Sequence, residues 1–296
     1  MKNRILKFSV VYAAVMVVAL ILFCIGSVKD EAIAAKLMLG NNFFTKACEA
    51  VGKFPLYIAV AFGCSILHYH AEHKQLVWHR RLLKAVYVAG GVISFTLMMT
   101  DIFDMILSHK LLSYAASFFA AIGLYTSLCF YTERLDDERL IKYKKWAVAI
   151  VAAGAAIVLM TAICKIAWGR PRPYEVASGE YMINSGAVFS PWYKINRQGG
   201  SSFFSGHSAC VMGIFAFIPL LIADERKKIT VIIFAAVSSA VALIVILSRL
   251  LMGAHYLTDV SVGVMVAATA MYVASVVAFG PKGMKIDPDG KLNKYL

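Results

Sequence analysis

The residues best suited to chemistry fall in three short polar clusters: Lys165 to Pro173, Ser205-Gly206-His207, and Ser248-Arg249 followed by His255 and Asp259. Each sits where a long apolar run begins or ends. Lys165, Arg172 and Arg249 supply cations, His207 and His255 supply imidazoles, and Asp259 supplies a carboxylate. A phosphate ester is a tetrahedral anion whose hydrolysis requires its oxygens to be neutralised. Arginine does this with planar, bidentate contacts and lysine with a point charge. The inventory is sufficient to grip a phosphate and attack it without a metal.

The local sequence suggests how each cluster is presented. The run Gly169-Arg170-Pro171-Arg172-Pro173 ends a helix, because proline disfavours helical geometry in the residue before it. Arg170 reads as an interfacial anchor whose stem lies along apolar surface. Ser205 is a favoured helix N-cap, and free N–H groups at a helix start suit anions. Gly206 lets a backbone N–H come close to an oxyanion, and His207 is placed to protonate a leaving oxygen. His255 opens the last apolar run with Asp259 four residues on, so a helix there puts both on one face. The carboxylate is then expected to accept the Nδ1 proton and leave Nε2 as the nucleophile.

The elements that must hold these clusters are membrane helices. The 296 residues are 60% hydrophobic and 16% charged, with a mean hydropathy of +0.71. Apolar runs of about 18 or more residues are long enough to span a bilayer, and they lack the alternation of barrel strands. Eight such runs are expected, near residues 8–26, 54–70, 82–106, 114–131, 146–164, 207–222, 229–247 and 256–279. The predicted class is an all-α polytopic bundle of about eight helices forming one membrane domain. Residues 1–145 are accessory, 146–280 form the core that carries the clusters, and 281–296 form a cytoplasmic tail.

With both termini inside, the inner segments take 19 of the 30 basic residues, as the positive-inside rule expects. Lys165, His207, Arg249 and His255 then all fall at the outer face. The net charge of +13 fits inner loops and anionic lipid. No basic soluble domain is present to bind nucleic acid. The first apolar run exceeds the usual signal-peptide core of about 7–15 residues and reads as a retained helix despite Ala32-Ile33-Ala34. Five of the six cysteines lie in apolar runs and Cys48 in a loop, so free thiols are expected.

The order and spacing Lys165…Arg172-Pro173, Phe204-Ser205-Gly206-His207 and Ser248-Arg249…His255…Asp259 resemble the type 2 phosphatidic acid phosphatase family. These are integral-membrane lipid phosphatases with a haloperoxidase-like core. The resemblance spans roughly Trp146 to Phe279. It implies that His255 attacks phosphorus to give a phosphohistidine, that Asp259 orients it, and that His207 protonates the leaving alcohol. It further implies phosphate contacts from Lys165, Arg172, Ser205, Gly206 and Arg249, and no metal or other cofactor. Phe204 replaces the family's proline before Ser205, which bears on the rigidity of the loop and on substrate class.

Other features weigh less. The 173–204 segment is aromatic (Tyr174, Tyr181, Phe189, Trp192, Tyr193, Phe203, Phe204) and reads equally as a lid and as an interfacial belt. Lys194 and Arg197 are candidates for a second phosphate. His68, His70, His73 and His79 read as interfacial histidines, and Asp101 and Asp104 as solvated helix ends. The sequence therefore predicts a lipid phosphate or pyrophosphate phosphatase in a bacterial cytoplasmic membrane, working at the outer face. Its partners are the lipid substrate and the surrounding membrane lipids. A phosphotransferase with the same site, and a non-catalytic lipid-binding or transport protein, are the rival readings.

Overall fold

A computed structural model describes residues 2–72, 76–178, 181–182, 185–195 and 199–279. The expected tail, with His73, Lys74 and Arg197, lies outside the described residues. The chain runs through α1 (Lys2–Leu37), α2 (Phe43–Gly52), α3 (Phe54–Glu72), α4 (Val77–Ile106), α5 (Lys110–Glu133), α6 (Asp137–Trp168) and α7 (Pro173–Ser178). It continues through β1 (Tyr181–Met182), β2 (Ser185–Gly186), α8 (Gly206–Val211), α9 (Ile218–Ala223), α10 (Lys228–Leu251) and α11 (Leu257–Phe279). Among the described residues, eight helical stretches are long and apolar enough to cross a membrane, in the order expected from the sequence. The chain is a polytopic membrane bundle.

Three departures from the expected elements matter for the site. The first helix continues past Gly26 to Leu37, which keeps Asp30 within it. The stretch before Lys53, expected as a loop, contains α2, so Cys48 is helical and buried. Asn42 starts α2 with a reciprocal capping box: its side chain accepts from Thr45 N–H and Thr45 Oγ1 accepts from Asn42 N–H, both at 3.0 Å. The sixth span is broken into α8, a 3-10 stretch over Met212–Phe217 and α9, with Pro219 in the first turn of α9. Trp146 Nε1 donates to the Ala216 carbonyl at 2.9 Å inside this irregular stretch. Backbone that leaves the α-helical ladder within a bilayer is tolerated where protein covers it.

The core runs along α3, α6, α8 and α11, where Leu56, Ile66, Trp146, Ile150, Ile157, Val211 and Ala267 are buried. α4 and α5 pack on α3, and α1 packs along α11, with Tyr12 stacked on Tyr272 at 4.3 Å. Large apolar side chains such as Leu20, Ile93, Phe119, Ile163, Ile232 and Leu243 remain exposed around the bundle. In water such a surface would drive aggregation; in a bilayer it is the lipid-facing side.

The aromatic 173–204 segment is tied inward. Trp168 Nε1 donates to the Trp192 carbonyl at 2.6 Å, and Trp192 Nε1 donates to Ser27 Oγ at 2.9 Å. Phe203 stacks on Trp168 and Phe189 meets Tyr256 edge-on. Trp192, Phe203 and Phe189 thus anchor the loop to α1, α6 and Tyr256, while Tyr193 stays exposed. The two-residue strands β1 and β2 pair antiparallel within the same segment.

Candidate active site

Helix ends bring the three clusters together. α6 terminates at Gly169, which takes a left-handed φ of 56° and whose N–H returns to the Lys165 carbonyl at 3.1 Å. The Arg170–Pro173 run then folds under residues 199–202, with Gly200 N–H donating to Gly169 O and Ser202 N–H to Arg170 O. α10 ends in a turn at Gly253, where φ is +74° and a Cβ would lie 2.4 Å from the Met38 sulfur. That turn delivers His255 just before α11. Ser205 caps α8, accepts from Ser208 N–H at 3.3 Å, and donates its own N–H to the Asp259 carbonyl at 3.0 Å.

His255 is buried, with Lys165, Arg172, His207 and Arg249 all near enough to act on its charge. Burial first, and those groups second, push its pKa well below the ordinary histidine value. Its Nδ1 stands 2.7 Å from the Ser202 carbonyl. A carbonyl can only accept, so the ring carries its proton on Nδ1 and keeps a lone pair on Nε2.

That geometry corrects the expected pairing with Asp259, whose Oδ2 is 3.9 Å from His255 Nδ1. The reason is local. His255 and Tyr256 precede α11, so the two residues do not share a helical face, and Asp259 Oδ2 turns back to accept Tyr256 N–H at 2.8 Å. The same oxygen accepts from Ser202 Oγ. Asp259 therefore steadies the residue that holds His255 rather than the imidazole itself.

Arg170 is the largest correction. It is not a surface anchor but 0% exposed. Its Nη1 donates to Asp259 Oδ1 at 2.6 Å and to Thr258 Oγ1 at 2.9 Å, its Nη2 to Asp30 Oδ2 at 2.9 Å, and its Nε to the Ser190 carbonyl at 2.7 Å. The guanidinium also lies 4.1 Å from the Tyr256 ring centroid. A buried charge needs this density of partners.

The cations expected on phosphate differ in their freedom. The Lys165 ammonium makes no hydrogen bond or ion pair with any described residue. Arg172 donates to Tyr174 Oη at 3.0 Å and Ser201 Oγ at 2.9 Å, while its buried Nε has no acceptor among the described residues. Arg249 faces α2, with Nη1 3.1 Å from Glu49 Oε1 and Nη2 2.8 Å from the Thr45 carbonyl. Gly206 lies against α6, where a Cβ would stand 3.2 Å from Thr161. A recess of about 270 Å³ opens on Lys165, Ile166, Gly169 and Gly199–Ser201. Ile166 beside it is 82% exposed on the lipid-facing side.

His207 Nε2 stands 3.4 Å from Asp101 Oδ2, and Lys53 Nζ is 2.7 Å from the same carboxylate oxygen. Asp101 is thus a largely buried neighbour of the site, not a solvated helix end. Asp104 accepts from Ser113 and ties α4 to α5. Motif reading missed Asp30, Glu49 and Lys53 and took Asp101 for a solvated helix end; all four come from residues 1–145, expected to be accessory. Among the described residues, no group of three His, Cys, Asp or Glu side chains is placed to hold a metal. His70 instead meets the Leu140 carbonyl at 2.9 Å.

Fold and site together define a membrane-embedded helical protein with cations and histidines gathered at its helix ends. Residues 144–280 match the model of the PAP2 superfamily. Among curated proteins it is similar to the lipid A 4'-phosphatase of Francisella tularensis subsp. novicida (strain U112), 33% identical over 129 residues. That alignment covers 42% of this chain and 54% of the relative, so the chain spans about half the length of the protein it matches. No solved structure matches it.

Proposed function

We propose that this protein is a membrane lipid phosphatase that releases phosphate from a lipid phosphomonoester or pyrophosphate by way of a phosphohistidine. The observation that carries the reading is the grouping of His255, with its Nε2 lone pair, among Lys165, Arg172, His207 and Arg249. The family match and the relative's name support the same class. Lys165 and the open Nε of Arg172 bind phosphate oxygens, with Arg249 and the Ser205-Gly206 segment completing the cradle. His255 Nε2 attacks phosphorus while the bond to the leaving oxygen breaks, and His207 gives that oxygen its proton. Water then attacks phosphorus, passes a proton to His207, and frees His255. Three protein cations meet the charge, so the reaction requires no metal.

The recess beside Ile166 admits the headgroup of a lipid lying in the bilayer. Basic-residue placement supports a site at the outer face with both termini in the cytoplasm. Phosphatidic acid, phosphatidylglycerol phosphate, undecaprenyl pyrophosphate and a lipid A phosphate form the substrate panel, and the relative's name puts the last first. The test is phosphate release from this panel in detergent with excess chelator. Turnover of at least one lipid is expected, with His255→Ala falling by a factor of about 10⁴ or more. No release from any lipid, or undiminished release by His255→Ala, would overturn the reading.

A further inference from the structure

His207 stands beside a charged pair that lies outside the PAP2-matched segment. Asp101 comes from α4 and Lys53 from the junction of α2 and α3, both before residue 144. Lys53 Nζ reaches both carboxylate oxygens, at 2.9 and 2.7 Å, and so fixes how Asp101 is turned. His207 Nε2 and Asp101 Oδ2 are each shut off from solvent, and neither makes an aligned hydrogen bond. They are 3.4 Å apart. A buried imidazole nitrogen left in this way is costly unless it pairs, and catalytic hydrogen bonds often tighten only when substrate binds.

We propose that Asp101, braced by Lys53, is the positioning residue for His207. The inference rests on the phosphatase reading and assigns one of its steps to the N-terminal helices. Around His207 stand Lys53, Arg249 and His255, all positive or able to become so. Asp101 supplies the countercharge that an imidazolium needs there. Nε2–H stays on Asp101 Oδ2, which leaves Nδ1–H as the proton given to the leaving oxygen. When that bond to phosphorus breaks, His207 becomes neutral. It regains the Nδ1 proton from the water that opens the phosphohistidine, so protons balance over one turnover.

A proton donor matters in proportion to how poor the leaving group is, and this separates positioning from structural support. Asp101→Asn is compared with wild type on an alkyl lipid phosphate and on p-nitrophenyl phosphate, whose leaving phenolate needs little protonation. On the lipid, kcat is expected to fall by about 100-fold with KM nearly unchanged. On p-nitrophenyl phosphate the expected loss is below about threefold. Asp101→Glu, which keeps the carboxylate, is expected to recover part of the loss on the lipid. Equal losses on both substrates would make Asp101 merely structural and overturn the proposal.

A second measurement needs no turnover. In the ¹⁵N-labelled full chain, with the His207 ring signals assigned by His207→Gln, Asp101→Asn is expected to displace those signals. Unmoved signals would sink the pairing even if the enzyme were active. If wild type hydrolysed neither substrate, the phosphatase reading would fail while the spectra still decided the contact.

Discussion

The two histidines of the site are mounted differently. His255 holds the Ser202 carbonyl at 2.7 Å, and Ser202 is in turn bonded to Asp259, which is bonded to Arg170, which is bonded to Asp30. Every member of that chain is buried. His207 meets one carboxylate at 3.4 Å, without alignment. The difference suits their proposed tasks. A nucleophile must keep one nitrogen on the line of attack through formation and breakdown of the phosphohistidine, whereas a proton donor has to follow a departing oxygen. The mounts also differ in origin. All the partners of His255 but Asp30 lie within residues 144–280, while those of His207 come from before them.

If the His255 mount is the rigid one, removing its hub should do the greatest damage. Arg170→Met strands the Asp30 and Asp259 carboxylates without their cation. A cost of about 3–5 kcal/mol is expected from breaking a buried pair on one side. Lipid phosphatase activity should be lost with it. Arg170→Lys keeps the charge but not the fork, and should fall between the two. Thermal unfolding in detergent checks this. A Met variant that melted with wild type would erase the contrast between the two mounts.

A milder break tests whether the N-terminal helices matter to the nucleophile as well. Asp30 accepts from Arg170, from Thr258 N–H and from Thr258 Oγ1. Asp30→Asn removes one charge-assisted bond while Asp259 still holds Arg170. The expected cost is about 1.5–3 kcal/mol, again read as a lower melting point. A cost equal to that of Arg170→Met would mean that α1, not the family segment, carries the His255 mount.

The reactive residues were legible because the motifs are local. Lys165 to Arg172 and Ser205 to His207 each lie at one helix end, and Arg249 to Asp259 spans a short turn between two, where spacing and capping rules apply. The eight spans were legible because each carries its own apolar length. The supports were not. Asp30 reaches its partners across 140 and 228 residues, and no periodicity links such positions. A faint signal existed: a lone carboxylate in a long apolar helix is costly unless it is paired or functional, which marks Asp101 and, once α1 extends past Gly26, Asp30. Arg170 was misread because proline explains where a helix stops but not what is laid over the chain afterwards. Asp259 was misplaced by assuming that His255 opens α11, which begins two residues later at Leu257.

The smallest expected effect concerns the charge around His255. Burial acts first on its pKa, then Lys165 and Arg172, and all favour the neutral ring. The lone pair on Nε2 therefore persists below the ordinary histidine pKa of about 6.5. As pH falls, protonation of His255 ends the reaction only well on the acid side of that value. Removing one cation relaxes the effect in a known direction: in Lys165→Met the ring protonates more easily, so the acid limb of kcat/KM should move toward higher pH. The displacement is expected to be about one pH unit or less, in addition to the fall in rate from losing a phosphate contact. Ionisation of the substrate is common to both enzymes, so the difference between their profiles belongs to the site. A limb that stayed in place or moved toward lower pH would mean that the Lys165 charge does not reach His255. The nucleophile would then be set by its hydrogen-bonded mount and its burial, with the cations left to substrate binding.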